Sequence, residues 1–191
     1  MKRVVFVRHG ATEGNLQKRY IGRTDEPLCE QGIAQIKALS GLKADRIVVS
    51  PMLRTRQSAA LLFPGRELEL CPDLRETDFG EFEGKTADEL TDNENYVNWV
   101  NGGCIAPIPG GEAVADFKAR CRAAFEEIMA GSSEDSTTVF VIHGGCIMAI
   151  LEAFSRPKRD FYAFHLPNGG CFRAEMDGNG SVLTVVSAEK T

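Results

Sequence analysis

Two short apolar runs, each stopping at a histidine, constrain this chain more than any other feature. Lys2-Arg3-Val4-Val5-Phe6-Val7 ends in Arg8-His9-Gly10, and Thr138-Val139-Phe140-Val141-Ile142 ends in His143-Gly144-Gly145. β-Branched and aromatic runs without polar alternation read as strands buried on both faces of a parallel sheet. Each delivers a histidine where the strand stops and a glycine lets the chain turn. Ligands of open α/β sheets bind beyond the carboxyl ends of the strands. Two adjacent strands would place His9 and His143 in one crevice, with Arg8 beside them.

A lone histidine at a strand end is usually a polar cap. Two of them, one preceded by arginine, suggest more. A guanidinium taken out of water needs an anionic partner, and its planar fork fits phosphate oxygens two at a time. The pattern therefore reads as a phosphate-transfer site with His9 as the nucleophile.

Composition narrows the alternatives. At 191 residues the chain fits one domain, 1–191, with room for a small insertion. A net charge of -5 argues against nucleic-acid binding, which needs an extended basic face. It leaves room for a local arginine cluster that takes an anionic substrate. The cysteines, Cys29, Cys71, Cys104, Cys121, Cys146 and Cys171, form no Cys-x-x-Cys pair. This spacing fits buried thiols in a reducing cytosol better than a zinc ribbon or a disulfide framework. The apolar run before Arg8 is too short for a signal peptide, and no stretch approaches membrane-spanning length. The expectation is a cytoplasmic protein without membrane contact, acting as monomer or homodimer.

Further candidates appear along the chain. Thr12 and Asn15 follow Gly10 where a helix start would aim N–H groups at an anion, although Thr12 reads equally well as an ordinary N-cap. Arg23 lies in a polar loop and either reaches the phosphate or is simply solvated. Glu30 to Leu39 has helical spacing, Arg46 to Val49 is a strand, and Ser50-Pro51 breaks it before a helix from Leu53 to Phe63. Arg54 and Arg56 sit in that helix's first turn, against the dipole preference for acids. Residues two apart point in different directions on a helix. Arg54, nearer the strand end, is the one placed at the site.

Residues 68–70 read as a further short strand. Asp73 to Gly84 is an acidic, glycine-punctuated loop. Ester cleavage needs an acid to protonate the leaving oxygen, and the residues alone offer Glu76, Asp78, Glu81 and Glu83 without ranking them. Residues 77–111 read as a cap insertion over the sheet's carboxyl edge, with one or two short helices. Its Phe79, Phe82, Tyr96 and Trp99 form either a wall against substrate or a small core of the cap, the second being preferred. A long amphipathic helix from Glu112 to Met129 and an apolar helix from Cys146 to Phe154 follow. A closing hairpin turns at Asp177-Gly178-Asn179-Gly180. His165 is given no role. A zinc hydrolase built on His9, His143 and His165 is the metal-dependent alternative.

Arg8-His9-Gly10-Ala11-Thr12-Glu13-Gly14-Asn15, Ser50 to Ala59, Leu74-Arg75-Glu76, Pro109-Gly110-Gly111-Glu112 and His143-Gly144-Gly145 occur in this order. Together they resemble the histidine phosphatase superfamily, in its phosphoglycerate mutase-like branch, along nearly the whole chain. The resemblance implies a three-layer α/β/α sandwich with a mostly parallel sheet, an antiparallel edge strand and a cap. It implies that His9 takes the phosphoryl group, that Arg8, Arg54 and His143 hold its oxygens, and that Glu76 is the general acid. Asn15 matches a phosphate-pocket position, with Thr12 beside it, and Gly144 offers its backbone N–H. No metal or other cofactor is expected. Tyr20 to Leu28 and Leu74 to Gly84 resemble the subgroup acting on α-ribazole 5′-phosphate. Thr86 to Gly111 holds no lysine or arginine, which sets the mutases of the family behind. A binding domain without turnover is the third reading.

Overall fold

The computed structural model describes residues 1–39, 41–177 and 182–189. Its strands are β1 (Lys2–Arg8), β2 (Arg46–Val49), β3 (Glu69–Leu70), β4 (Thr137–Ile142), β5 (Cys171–Met176) and β6 (Leu183–Glu189). The helices are α1 (Glu13–Leu16), α2 (Glu30–Ala38), α3 (Leu53–Leu62), α4 (Glu94–Asn101), α5 (Val114–Ala130) and α6 (Gly144–Phe154). Short 3₁₀ turns add Pro72–Leu74, Gly80–Phe82, Asp88–Leu90 and Phe161–Phe164. The closing hairpin's turn residues 178–181 lie outside the described residues, so the expectation at that turn stands as it was.

One sheet runs in the order β3-β2-β4-β1-β5-β6. The first four strands are mutually parallel. β5 is antiparallel to β1, and β6 to β5. The antiparallel part is therefore a hairpin added beside β1, and the strand that breaks the parallel run lies one place in from the edge.

The alternating direction of strand side chains explains the layers. Val4, Phe6, Phe140 and Ile142 face one way and pack with Phe125 of α5 and Ile150 of α6. Val5, Val7, Val139 and Val141 face the other way, against Ile36 of α2 and Ala59 of α3. Both faces are covered, so the strands carry no polar alternation. This is the α/β/α sandwich.

The register of β1 on β4 sets the site. Arg8 pairs with Ile142, so the next residues, His9 and His143, emerge level. β2 brings Val49 beside Val141, which puts Ser50 at the same height on the other flank of β4.

The glycines after the histidines act differently from the sequence expectation. Neither Gly10 nor Gly144 and Gly145 has a positive φ. Gly144 and Gly145 open α6, which begins two residues earlier than expected. Gly10 is required by close approach: a Cβ there would lie 2.2 Å from the Gly32 carbonyl oxygen. A Cβ on Gly32 would in turn lie 2.0 Å from that of Ala11. The turn after β1 is pressed against the first turn of α2, with Cys29 N–H bonded to Ala11 O at 3.0 Å.

An ordinary helix interior gains up to about 1 kcal/mol on Gly→Ala. Gly32→Ala should instead lose about 1–3 kcal/mol through overpacking. Urea unfolding checks this: the midpoint should drop with the slope unchanged. A raised midpoint would show that the contact yields freely.

Candidate active site

His9 and His143 meet edge to face, with ring centroids 5.2 Å apart. His9 is 4% exposed and His143 is fully buried. His9 Nδ1 lies 2.7 Å from the Gly10 carbonyl oxygen. A carbonyl only accepts, so Nδ1 carries the proton and Nε2 keeps its lone pair. His143 Nε2 is bonded to Ser50 Oγ at 2.8 Å, and its Nδ1 is buried without a partner.

Two arginines flank the rings. Arg54 of α3 is fully buried. It donates to the carbonyls of Thr24 at 2.8 Å and Gly22 at 2.9 Å. Arg8 donates Nη1 to the Leu166 carbonyl at 2.6 Å and packs under Gly144. Yet Arg8 Nε and Arg54 Nε are both buried and unpartnered. Among the described residues, six buried side-chain polar atoms lack partners, and three are these two Nε atoms and His143 Nδ1. Buried polar atoms are rarely orphaned in native proteins. Three on one cluster, two of them cationic donors, describe a place for a multiply charged oxyanion.

Glu76 faces this cluster from the loop after the Pro72–Leu74 turn. Its Oε1 accepts from Thr77 N–H at 3.0 Å and its Oε2 from Gly145 N–H at 3.1 Å. A Cβ on Gly145 would lie 2.3 Å from Glu76 Oε1, so the glycine makes room for the carboxylate. Two cavities meet at Glu76. One, of about 470 Å³, is lined by Arg8, Gly144, Gly145, Tyr20, Phe79, Trp99, Phe117, Phe161 and Tyr162 among others. The other, of about 480 Å³, is polar and is lined by Arg23, Arg75, Asp78, Glu112 and Arg120 among others.

The expected residues divide cleanly. Arg8, His9, Arg54, Glu76 and His143 come together, and Gly144 borders the first cavity. Arg56, the alternative to Arg54, is exposed. Thr12 is engaged in a capping box, its hydroxyl accepting from Asn15 N–H at 3.3 Å. The Asn15 oxygen accepts from Thr12 N–H and from Asn168 Nδ2, both at 3.2 Å. The polar oxygens of both side chains thus shape the turn after β1. Arg23 stands off, its side chain 62% exposed and 3.6 Å from Asp78, on the polar cavity. Phe82 and Tyr96 belong to a small cluster with Leu90 and Ile108, while Phe79 and Trp99 reach from it to the apolar cavity. The aromatic set is part core and part wall.

Several contributors carried no local signal. Ser50 seats His143, and Ser58 bridges Gly10 N–H to the Arg54 carbonyl. Asp25 accepts from Leu53 N–H at 2.6 Å and so supplies, from another segment, the acid missing from the first turn of α3. Glu83 accepts from Gly22 and Thr24 N–H groups, both at 2.9 Å, and steadies the carbonyls that hold Arg54. His165 lines the apolar cavity. Among the described residues no three His, Cys, Asp or Glu side chains are grouped to hold a metal ion.

Burial and the charges of Arg54 and Arg8 push His9 well below the usual histidine range, against a smaller upward pull from its Gly10 bond. Burial and the same arginines do so for His143. Desolvation also lowers Arg8 and Arg54, opposed by the nearby Glu76 carboxylate. The imidazoles are thus neutral in the folded chain, while an unfolded chain protonates them near pH 6.5. Stability from this source is complete above that value and is lost as pH falls through it. The slope should be about 1.4 kcal/mol per pH unit for each histidine. Urea titrations between pH 7.5 and 5 would measure it, and His143→Asn should halve the slope. A flat profile would mean that the folded imidazoles titrate normally.

Comparison with known proteins points the same way. The profile of the histidine phosphatase superfamily (branch 1) matches residues 4–189. The chain is 30% identical to adenosylcobalamin/alpha-ribazole phosphatase of Salmonella typhimurium over 180 residues, 90% of this chain and 89% of that one. The crystal structure of the alpha-ribazole phosphatase from Shigella flexneri matches with a TM-score of 0.81 at 26% identity, covering 96% of this chain and 95% of that one. The crystal structure of phosphoglycerate mutase from Thermus thermophilus matches with a TM-score of 0.75 at 29% identity, covering 99% of each chain. A profile match that starts within β1 and ends with β6 takes in every residue of the cluster, and the chain belongs to the histidine phosphatase superfamily, branch 1.

Proposed function

We propose that this protein hydrolyses a small phosphomonoester through a phosphohistidine on His9, and that its substrate is α-ribazole 5′-phosphate. The single observation that carries the reading is the neutral His9 ring, with its Nε2 lone pair free, beside three orphaned nitrogens of Arg8, Arg54 and His143.

In the first step the Nε2 lone pair attacks phosphorus. The bond from phosphorus to the ester oxygen breaks, and Glu76, which must enter this step as the protonated acid, gives its proton to the departing alkoxide. Negative charge spread over the three transferring oxygens meets Arg8, Arg54 and His143, which are already in place and need no reorganisation. In the second step Glu76 takes a proton from water as that water attacks phosphorus. The phosphorus–nitrogen bond breaks, and His9 returns neutral. Glu76 is placed for both roles because its carboxyl faces both cavities. Thr12 and Asn15 hold the turn that follows His9, and Gly144 N–H points from the start of α6.

The apolar cavity supports the substrate choice. Tyr20, Phe79, Trp99, Phe117 and Phe161 suit a flat, weakly polar ring more than a sugar or a carboxylate. We assign residues 77–111 as the cap that supplies part of this wall, within a single domain. A phosphoglycerate mutase is the second reading, favoured by the arginines on the polar cavity. There Arg120 is paired with Glu112 at 2.6 Å and Arg23 faces Asp78 at 3.6 Å, so protein carboxylates already answer two of these cations. The described chain has no helix long and apolar enough to cross a membrane, and its six cysteines are free thiols. Both facts support action on a small metabolite in the cytoplasm.

Phosphate release from α-ribazole 5′-phosphate, beside 3-phosphoglycerate and several sugar and nucleotide monophosphates, tests the reading. Preference for the first supports it. Bisphosphate-dependent isomerisation of phosphoglycerate would replace it with the mutase. His9→Ala should abolish turnover and leave no acid-labile phosphoenzyme, and a labelled enzyme after this change would move the nucleophile elsewhere. Glu76→Gln should slow alkyl esters by about 100-fold or more and nitrophenyl esters far less, since good leaving groups need little protonation. Equal losses on both would remove Glu76 from the acid role.

A further inference from the structure

The loop that carries Glu76 is gripped from behind by residues outside the phosphate cluster. Four successive carbonyls, from Asp73 to Glu76, are all engaged. Arg120 on α5 donates Nη1 to Asp73 at 2.6 Å and to Arg75 at 2.8 Å, and Nη2 to Glu76 at 3.1 Å. The Cys146 thiol, on α6, donates to Leu74 at 3.3 Å and Arg75 at 3.2 Å. The guanidinium also forms a fork on Glu112, at 2.6 and 2.8 Å. Phe117 lies against its face, 4.9 Å away. The arginine and glutamate side chains are only 20% and 21% exposed.

Glu112 stands at the far root of the 77–111 segment, where its own N–H donates to the Asp78 carbonyl at 3.0 Å. One guanidinium thus ties together the acid's backbone, the start of that segment and its end. The two bonds to the Glu76 carboxyl orient it locally, but its distance from the phosphate cluster is set by where the loop is held. A misplacement of about 1 Å costs on the order of 100-fold in rate.

We infer that Arg120, braced by Glu112, is a positioning residue for Glu76, holding the carboxyl at the reach that the leaving oxygen requires. This rests on the reading of Glu76 as the proton donor. Lysine keeps the charge and most of the stem, but its point-like ammonium has no planar fork with which to span three carbonyls and a carboxylate. Arg120→Lys should therefore mimic a displaced acid.

The test compares an alkyl and a nitrophenyl phosphate in wild type, Arg120→Lys, Glu76→Gln and the double variant. Arg120→Lys should lower kcat for the alkyl ester by about 10–100-fold, and for the nitrophenyl ester by less than about 3-fold. KM should hardly move, and the double variant should be no slower than Glu76→Gln alone. A leaving-group-selective loss in Glu76→Gln with an equal loss for both esters in Arg120→Lys would overturn the inference. So would a double variant in which the two losses multiply. A Glu76→Gln variant without leaving-group selectivity would instead overturn the reading of Glu76, and the inference with it. Should Arg120→Lys fail to fold, Glu112→Gln keeps an acceptor on the clasp and should show the same selectivity at smaller size. A uniform loss there would count against the role.

Discussion

Two guanidinium groups held largely out of water beside a pair of imidazoles are the constraint on which the rest of this structure depends. Taking a cation out of water costs several kcal/mol unless charge and hydrogen bonds answer it. Here the answer is partial. Backbone carbonyls of Gly22, Thr24 and Leu166 take up some N–H groups. Glu76 supplies one nearby negative charge. The Nε atoms stay orphaned, and burial, reinforced by the field of the two cations, keeps both imidazoles neutral. In the proposed reading, an arriving phosphate satisfies the orphans and meets, in His9, a nucleophile whose lone pair is already free. The same imbalance that costs stability in the free chain favours charge developing on phosphoryl oxygens.

Holding such a cluster takes a rigid frame, and the sheet provides it. β1 and β4 are central, parallel and in a register that brings His9 and His143 out level. The surrounding loops are not left to find their own places. Gly10 and Gly32 let the turn after β1 lie directly against α2, and Gly145 lets Glu76 lie against the start of α6. Glu83 fixes the segment whose carbonyls hold Arg54. Each of these contacts joins residues distant in sequence, and so ties down the loops that flank the cluster.

The proposed function assigns selectivity to a different part of the molecule. The phosphate cluster would treat all monoesters alike, because it touches only what they share. Beyond Arg8 and Glu76 the first cavity changes character, becoming apolar and aromatic. Part of that wall comes from 77–111, whose Phe82, Leu90, Trp99 and Ile108 form a core of their own. A segment with its own core can vary its outward face while the catalytic cluster stays intact.

Much of this was legible in the linear sequence. The α/β class followed from apolar runs alternating with amphipathic stretches, and the pairing of His9 with His143 followed from two strands ending alike. Helix geometry allows only one of Arg54 and Arg56 to face the site, and nearness to the strand end points to Arg54. Other features were beyond reach, because they depend on contacts across the chain. The acidic loop offered four carboxylates of equal standing until motif resemblance singled out Glu76; folding places that one against Gly145 and under the bonds of Arg120. The glycines after the histidines looked like turn formers, and only packing shows Gly10 and Gly145 to be points of close approach. Thr12 was undecided between cap and anion ligand until its hydroxyl found Asn15 N–H. By itself, then, the sequence determined which residues end which strands, since strand propensity and period are local. The tertiary structure alone decided which polar groups are satisfied and which remain orphaned around His9, because hydrogen-bond partners in a folded chain are set by position in space and not by distance along it.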